Sequence, residues 1–347
     1  MKDLIKTIAI GLSFSLAACQ SSLETPYKDY VQRMARVVAL TPVQTINGHQ
    51  LAYPRQREWS VASEPNIKRK TLSLLKFLSL DDCELRYVIA RRNSALGKVA
   101  SHSQRLHYQL DFLQHAPACI ATLTAQGKTA TATQLTAVMN EKKQQLPVFI
   151  WKGSLGEKEF RQFWQTSYLD ADYPANTGTG LITALEQING WVDQWLSGDY
   201  TNDVSAYENS LSVIRAGDGG ALSRALSIQN DHLSQANTLL INKSLIQQRL
   251  CPNGLQSGQA EVFQNVVTKF WIHDLQLRSA DLSRRYFDLI YLVEALEKRL
   301  ADGEPRAYLD WRQQRNKLFE QWLGAPKAHS LRISSVYKHC DITLAKQ

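Results

Sequence analysis

The sequence predicts an all-α protein, an elongated multi-helix bundle with a long antiparallel helical hairpin in its C-terminal half. Three observations carry that expectation. No stretch alternates apolar and polar residues long enough to build a sheet, apolar residues recur at three- and four-residue spacing, and Gly or Pro marks the gaps between those segments. The only strand-like stretches, 147–151 and 331–336, are brief.

Taken in order, Thr25 followed by Pro26 reads as an N-cap with proline at the first helical position, opening a helix through about residue 40. Residues 41–65 carry Pro, Gly and Asn and read as irregular. Helices are then expected at about 66–80, 82–94, 101–123, 131–145, 157–168, 181–196 and 204–216. Residues 221–251 contain no Gly or Pro, and Leu222, Leu226, Leu233, Ala236 and Leu240 fall on one helical face. Residues 259–302 are also free of both, with Leu282, Tyr286, Leu289, Val293, Leu296 and Leu300 continuing the spacing. The turn Cys251-Pro252-Asn253-Gly254 joins the two into the expected hairpin with coiled-coil-like packing. Two further helices, 305–323 and 327–340, follow a turn at Gly303 and flank a joint at 324–326.

The N-terminus carries an address. Lys2 and Lys6 precede an apolar run at 8–18, and Leu16-Ala17-Ala18-Cys19 closes it. The run is too short to span a bilayer as a permanent helix. It resembles a bacterial lipoprotein signal with its lipobox, which implies cleavage before Cys19 and a diacylglyceryl group on the Cys19 sulfur. The expected organisation is a signal peptide at 1–18, a lipidated cysteine and short tether at 19–25, and a helical domain at 26–347, either continuous or split into two subdomains meeting near 173–180. Gln20 follows the lipid cysteine where inner-membrane retention normally uses Asp, so the same resemblance implies the outer membrane, facing the periplasm.

Four cysteines remain once Cys19 is assigned to lipid: Cys83, Cys119, Cys251 and Cys340. An even number in an oxidising compartment reads as two disulfides. Three pairings are open in principle, and sequence locality favours Cys83 with Cys119 and Cys251 with Cys340. Zinc needs clustered ligands, which these positions lack, so neither a metal nor a cofactor is expected. The formal charge of +8 would suit nucleic acid. Export removes that partner and leaves phospholipid headgroups, lipopolysaccharide, peptidoglycan and acidic proteins.

The most distinctive string runs Cys83-Glu84-Leu85, Arg91-Arg92-Asn93-Ser94-Ala95-Leu96-Gly97-Lys98, Ser103-Gln104-Arg105-Leu106, Tyr108 and Cys119-Ile120. Together with the lipobox it resembles an uncharacterised family of Gram-negative bacterial lipoproteins, a domain of unknown function covering nearly all of the mature chain. That resemblance implies an envelope location and no activity. Read residue by residue, Asn93, Ser94 and a left-handed Gly97 suit a helix end, with Lys98 near the terminal carbonyls. The functional reading is an anion site in which Arg91, Arg92, Lys98 and Arg105 converge with Ser101 or Ser103 at the next helix N-terminus.

Catalytic templates are absent. No His-Glu-x-x-His or Gly-x-Ser-x-Gly occurs, Thr177-Gly178-Thr179-Gly180 lacks the strand a phosphate loop requires, and His102 and His107 do not share a helix face. Phe160, Phe163 and Trp164, Trp191 and Trp195, and Trp311, Phe319 and Trp322 are spaced as core stripes. The expected function is a non-catalytic adaptor or scaffold in cell-envelope assembly or maintenance, held to the membrane by its lipid and contacting an envelope protein, an anionic headgroup or a glycan. The competing expectation is a hydrolase or ligand-binding protein acting on peptidoglycan or lipopolysaccharide.

Overall fold

The computed structural model describes residues 22–42, 52–54, 82–165, 169–175 and 177–343. The signal segment, Cys19 and the helix expected at 66–80 lie outside them. Every regular element among the described residues is helical. None of their helices is long and apolar enough to cross a membrane.

The first helix, α1 (Glu24–Val38), buries Tyr27, Tyr30, Val31, Met34 and Val38, one stripe at helical spacing. It starts one residue before the expected cap, with Thr25 Oγ1 accepting from the Ser22 N–H at 3.3 Å. After the undescribed segment come α2 (Leu85–Asn93) and the single turn α3 (Ala95–Lys98). They lead into α4 (His102–Ala125) and α5 (Thr129–Gly153), an antiparallel pair joined where Gly127 takes φ +71°. The Ser101 hydroxyl accepts from Gln104 N–H while Gln104 Oε1 accepts from Ser101 N–H, a capping box that fixes where α4 begins.

Next come α6 (Lys158–Gln165), α7 (Gly180–Leu196), α8 (Val204–Arg215) and α9 (Gly219–Leu239). The short α10 (Lys243–Leu250) ends at Cys251. From there α11 (Gly258–Val266) runs through a π-helical stretch, Val267–Leu275, into α12 (Gln276–Arg299). A 3₁₀ turn at Ala301–Gly303 precedes α13 (Arg306–His339). Gly303 is required there because a Cβ would stand 2.6 Å from the Pro147 carbonyl oxygen.

The C-terminal half departs from the expected hairpin. Residues 221–251 are broken at 240–242, where Asn242 accepts from Leu245 N–H and starts α10 as a new helix. The long 258–299 run is continuous as expected, but α9 packs chiefly on α13 and α1 and less on α12. Apolar periodicity identifies a buried face without naming what covers it. The extended antiparallel pair lies instead in the first half, in α4 and α5.

Both strand-like stretches are helical, and residues 324–326 form no joint. Trp322, Ala325, His329, Ile333 and Val336 continue one buried stripe through Pro326, and this packing offsets the roughly 3 kcal/mol cost of an interior proline. Pro147 is carried inside α5 in the same way, next to buried Leu146, Ile150 and Trp151.

Two cores result. The larger draws on α1, Tyr53, the first half of α4 through Leu106, Leu110 and Leu113, and the elements from the end of α5 onward, including side chains from both sides of 173–180. The smaller sits between α2 and the distal halves of α4 and α5, built from Leu85, Val88, Phe112, Ala116, Leu123, Ala132, Leu135 and Val138. Each has a disulfide, Cys83–Cys119 in the small core and Cys251–Cys340 between α10 and the end of α13.

Candidate functional site

The basic string before α4 is assembled much as its spacing suggests, and its charges are spent locally. Arg91 pairs with Asp111 at 2.7 Å, Arg92 donates to the Gly97 carbonyl at 3.2 Å, and Arg105 donates to the Lys98 carbonyl at 3.2 Å. Ser94 caps α3 by accepting from Gly97 N–H, and Ser101 is held in the capping box. Gly97 is not in the left-handed region. It is needed because a Cβ would lie 2.4 Å from the carbonyl oxygens of Arg91 and Arg92.

The N-terminus of α4 does receive an anion, and the chain supplies it. Buried Glu157 accepts from the Ser103 N–H at 2.6 Å, using a free donor of the first turn. Of the five candidates, Arg91, Arg92, Ser101 and Arg105 therefore brace the α2–α4 corner, and Lys98 alone extends an exposed, uncommitted amine.

Interior ionisable groups are likewise engaged. Arg315 grips Glu297 through two bonds of 2.7 and 2.9 Å, Tyr308 donates to Glu297 at 2.7 Å, and both charged residues are 1 % exposed. The guanidinium lies about 5 Å from the Trp164 and Trp311 rings. His329 sits between Tyr30 and Asn237, each at 2.7 Å, and burial depresses its pKa to about 3. The aromatic stripes interlock in the larger core, with Phe163, Trp164, Trp195, Trp311, Phe319 and Trp322 buried and Trp191 partly so. Among the described residues no group of three or more His, Cys, Asp or Glu is placed to hold a metal ion.

A different surface concentrates free charge. Where the C-terminal ends of α9 and α13 meet α10, a pocket of about 350 Å³ opens to solvent. Buried Leu240, Ile246 and Val336 underlie it, and Lys243, Arg332, Lys338, His339 and Ser335 supply its accessible lining. Among the described residues no carboxylate lines it. None of the four cationic or basic side chains has an ion-pair or hydrogen-bond partner among the described residues. Lys338 and His339 close α13, where terminal carbonyls favour positive charge. Lys243 has no such reason, since it occupies the first position of α10, where the helix dipole opposes a cation.

The Cys251–Cys340 bond joins the two helices that form the pocket walls, α10 and α13. Arg332, Ser335 and Val336 fall on one face of α13, and Lys243 and Ile246 are one turn apart on α10. Sequence reasoning placed none of the pocket cations in a site. The signal was the cysteine pairing itself, which brings residues 243–250 beside 332–340.

No curated protein and no solved structure gives a significant match to the chain. A family model described as a protein of unknown function, DUF3080, matches residues 27–344. The match takes in the smaller core, all of the larger core but Leu23, both disulfides and the basic pocket, and the chain belongs to that family.

Proposed function

We propose that this chain is a lipoprotein of the bacterial envelope, anchored through Cys19 on the periplasmic face of the outer membrane. It works there as a non-catalytic adaptor whose α9–α10–α13 pocket takes an anionic group. The pocket is the observation that carries the reading: among the described residues its basic side chains have no partner and no carboxylate lines it, which suits it to negative charge. The basic string before α4 serves instead to fix a corner of the fold.

The anchor rests on Leu16-Ala17-Ala18-Cys19 and on the nearness of α1, which begins at Glu24. Five residues reach roughly 17 Å when fully extended, so the tether holds the helical body close to the membrane.

A photo-reactive residue at Ser335 of the full chain, activated in cells, tests the reading. One defined adduct, lost when Arg332→Glu is added, is expected. An adduct pattern that Arg332→Glu leaves unchanged, or no adduct, refutes it. Labelled fatty acid should enter the wild-type chain and not Cys19→Ala, and incorporation in that variant removes the anchor.

A further inference from the structure

We infer that α12 docks a second copy of this chain, its exposed face pairing antiparallel with the same face of the other copy about a two-fold axis level with Leu289. This face is separate from the pocket between α10 and α13.

Two stripes run along α12. Leu282, Tyr286, Leu289, Val293 and Leu296 form the buried one, on the helix that packs against α7 and α9. On the opposite side Leu277, Ala280, Arg284, Phe287, Tyr291, Glu294 and Lys298 step by threes and fours without a break, and every one is exposed. That strict alternation is the seam of a coiled coil, about 32 Å long for these residues. Leu277, Phe287 and Tyr291 are 61, 62 and 73 % exposed, and the two aromatic rings stand one turn apart. Single exposed apolar side chains are ordinary on a protein surface, whereas an aromatic pair in the middle of such a seam leaves a contiguous apolar area in water.

Charge identifies the occupant. Read along the helix, the face runs Asp281 negative, Arg284 positive, Phe287, Tyr291, Glu294 negative and Lys298 positive. Read backwards, every sign is exchanged and the aromatic pair returns to itself. Two antiparallel copies therefore set Phe287 on Tyr291 twice, Arg284 on Glu294 twice, and Lys298 over Ala280 beside Asp281 twice. A parallel pair would place Arg284, Glu294 and Lys298 each against itself. A slip of one heptad either way parts Phe287 from Tyr291 and Arg284 from Glu294. The helix of another protein gives no reason for this symmetry, and a second copy does.

The charges are available for it. Among the described residues Glu294 and Lys298 have no ion-pair or hydrogen-bond partner, and Arg284 meets Asp281 at 3.0 Å in a pair open to water on both sides. Such a pair contributes little and exchanges readily. Asp288 flanks the aromatic centre in both copies, and Arg284 one turn away offsets the approach of the two carboxylates. One seam is a modest interface, so the dimer is reversible and concentration-dependent.

Sedimentation equilibrium of the full chain in a density-matched non-ionic detergent tests the pairing. The wild type is expected to pass from one copy to two as its concentration rises. Arg284→Glu sets carboxylate against carboxylate and Glu294→Arg sets guanidinium against guanidinium, and each should weaken self-association at least about tenfold at unchanged melting temperature in dilute solution. Mixed in equal amounts, the two variants face each other with opposite charges at both positions and should recover the dimer that neither forms alone. Phe287→Ser with Tyr291→Ser should remain a single copy.

A wild type that stays single throughout, or a dimer that the charge reversals and the aromatic substitutions leave intact, overturns the inference. A mixture of the two charge variants that stays single overturns the antiparallel pairing. A single-copy wild type that crosslinks in cells, from a photo-reactive residue at Tyr291, to another envelope protein assigns the face to that partner and refutes self-docking.

Discussion

Acid should unfold this protein through one histidine more than through any other. His329 lies on the buried face of α13, with Nδ1 2.7 Å from Asn237 Oδ1, Nε2 2.7 Å from the Tyr30 hydroxyl, and its ring 4.7 Å from that of Trp271. An amide oxygen only accepts, so Nδ1 carries the proton and Nε2 accepts from Tyr30. That is the neutral imidazole. A second proton on Nε2 would face the tyrosine oxygen and leave the tyrosine hydrogen without an acceptor among apolar neighbours. Burial accordingly lowers the folded pKa from 6.5 to about 3.

The unfolded chain binds this proton near pH 6.5 and the folded chain only near pH 3, so the unfolded state holds more protons between those values. Stability from this group is complete above pH 6.5 and is lost as the pH falls toward 3. The limiting slope is about 1.4 kcal/mol per pH unit, and the whole interval is worth roughly 5 kcal/mol. Urea unfolding at pH 7.5 and 4.5, followed by tryptophan fluorescence, measures it. Between those pH values the wild type should lose about 2–3 kcal/mol more than His329→Gln, which cannot charge. Equal losses in the two proteins, or a His329 that titrates near 6.5 by NMR in the folded state, refute the reasoning.

Three further outcomes follow from other parts of the fold. Arg315→Met leaves Glu297 buried beside Tyr308 with no countercharge and should cost about 3–5 kcal/mol in chemical denaturation, with Arg315→Met/Glu297→Gln recovering part of it. Lys142, beside Gln109 and over the Phe112 ring, has its pKa lowered from 10.5 to about 8 by burial first and Arg92 second. Its folded pKa lies below its unfolded one, so its penalty is complete below pH 8 and fades as pH rises to 10.5, and Lys142→Met should flatten that rise and raise the melting temperature at pH 7. Cys83→Ser with Cys119→Ser opens a 36-residue loop worth up to about 4 kcal/mol, and because that bond lies in the smaller core, hydrogen exchange should accelerate in α2 while α9 and α13 stay protected.

The fold class was legible because helical periodicity and breaker positions are local properties. Ser101 with Gln104 and Asp203 before α8 each act within three residues of a helix start expected from the sequence, and the structure uses both as caps, whereas the equally local Asn242 cap interrupts a segment read as unbroken. The cysteine pairs were legible from separation alone. Partner choice was not: the stripes at Leu222–Leu240 and Leu282–Leu300 suit each other as well as they suit α1 and α13, and only the three-dimensional arrangement decides. Pro147 and Pro326 misled for the related reason that a local penalty of a few kcal/mol is overridden by burial of a stripe continuing on both sides.

The two basic clusters separate a residue type from its use. Arg91, Arg92 and Arg105 are close in sequence to Asp111 and to the carbonyls of α3, so short-range partners claim them and Glu157 completes the first turn of α4. Lys243, Arg332, Lys338 and His339 come from segments about ninety residues apart and meet only because α9 and α13 end together and Cys251 is bonded to Cys340. A cationic group on one short segment usually finds local acceptors, since loops and helix ends expose carbonyls nearby. Basic side chains brought together by tertiary structure, with no acid among them in the described residues, raise the local positive potential, weakly where water screens them. On the function proposed here an external anion takes the place of the missing acid, and the inconspicuous lysines and arginine of α10 and α13, not the conspicuous string before α4, hold it.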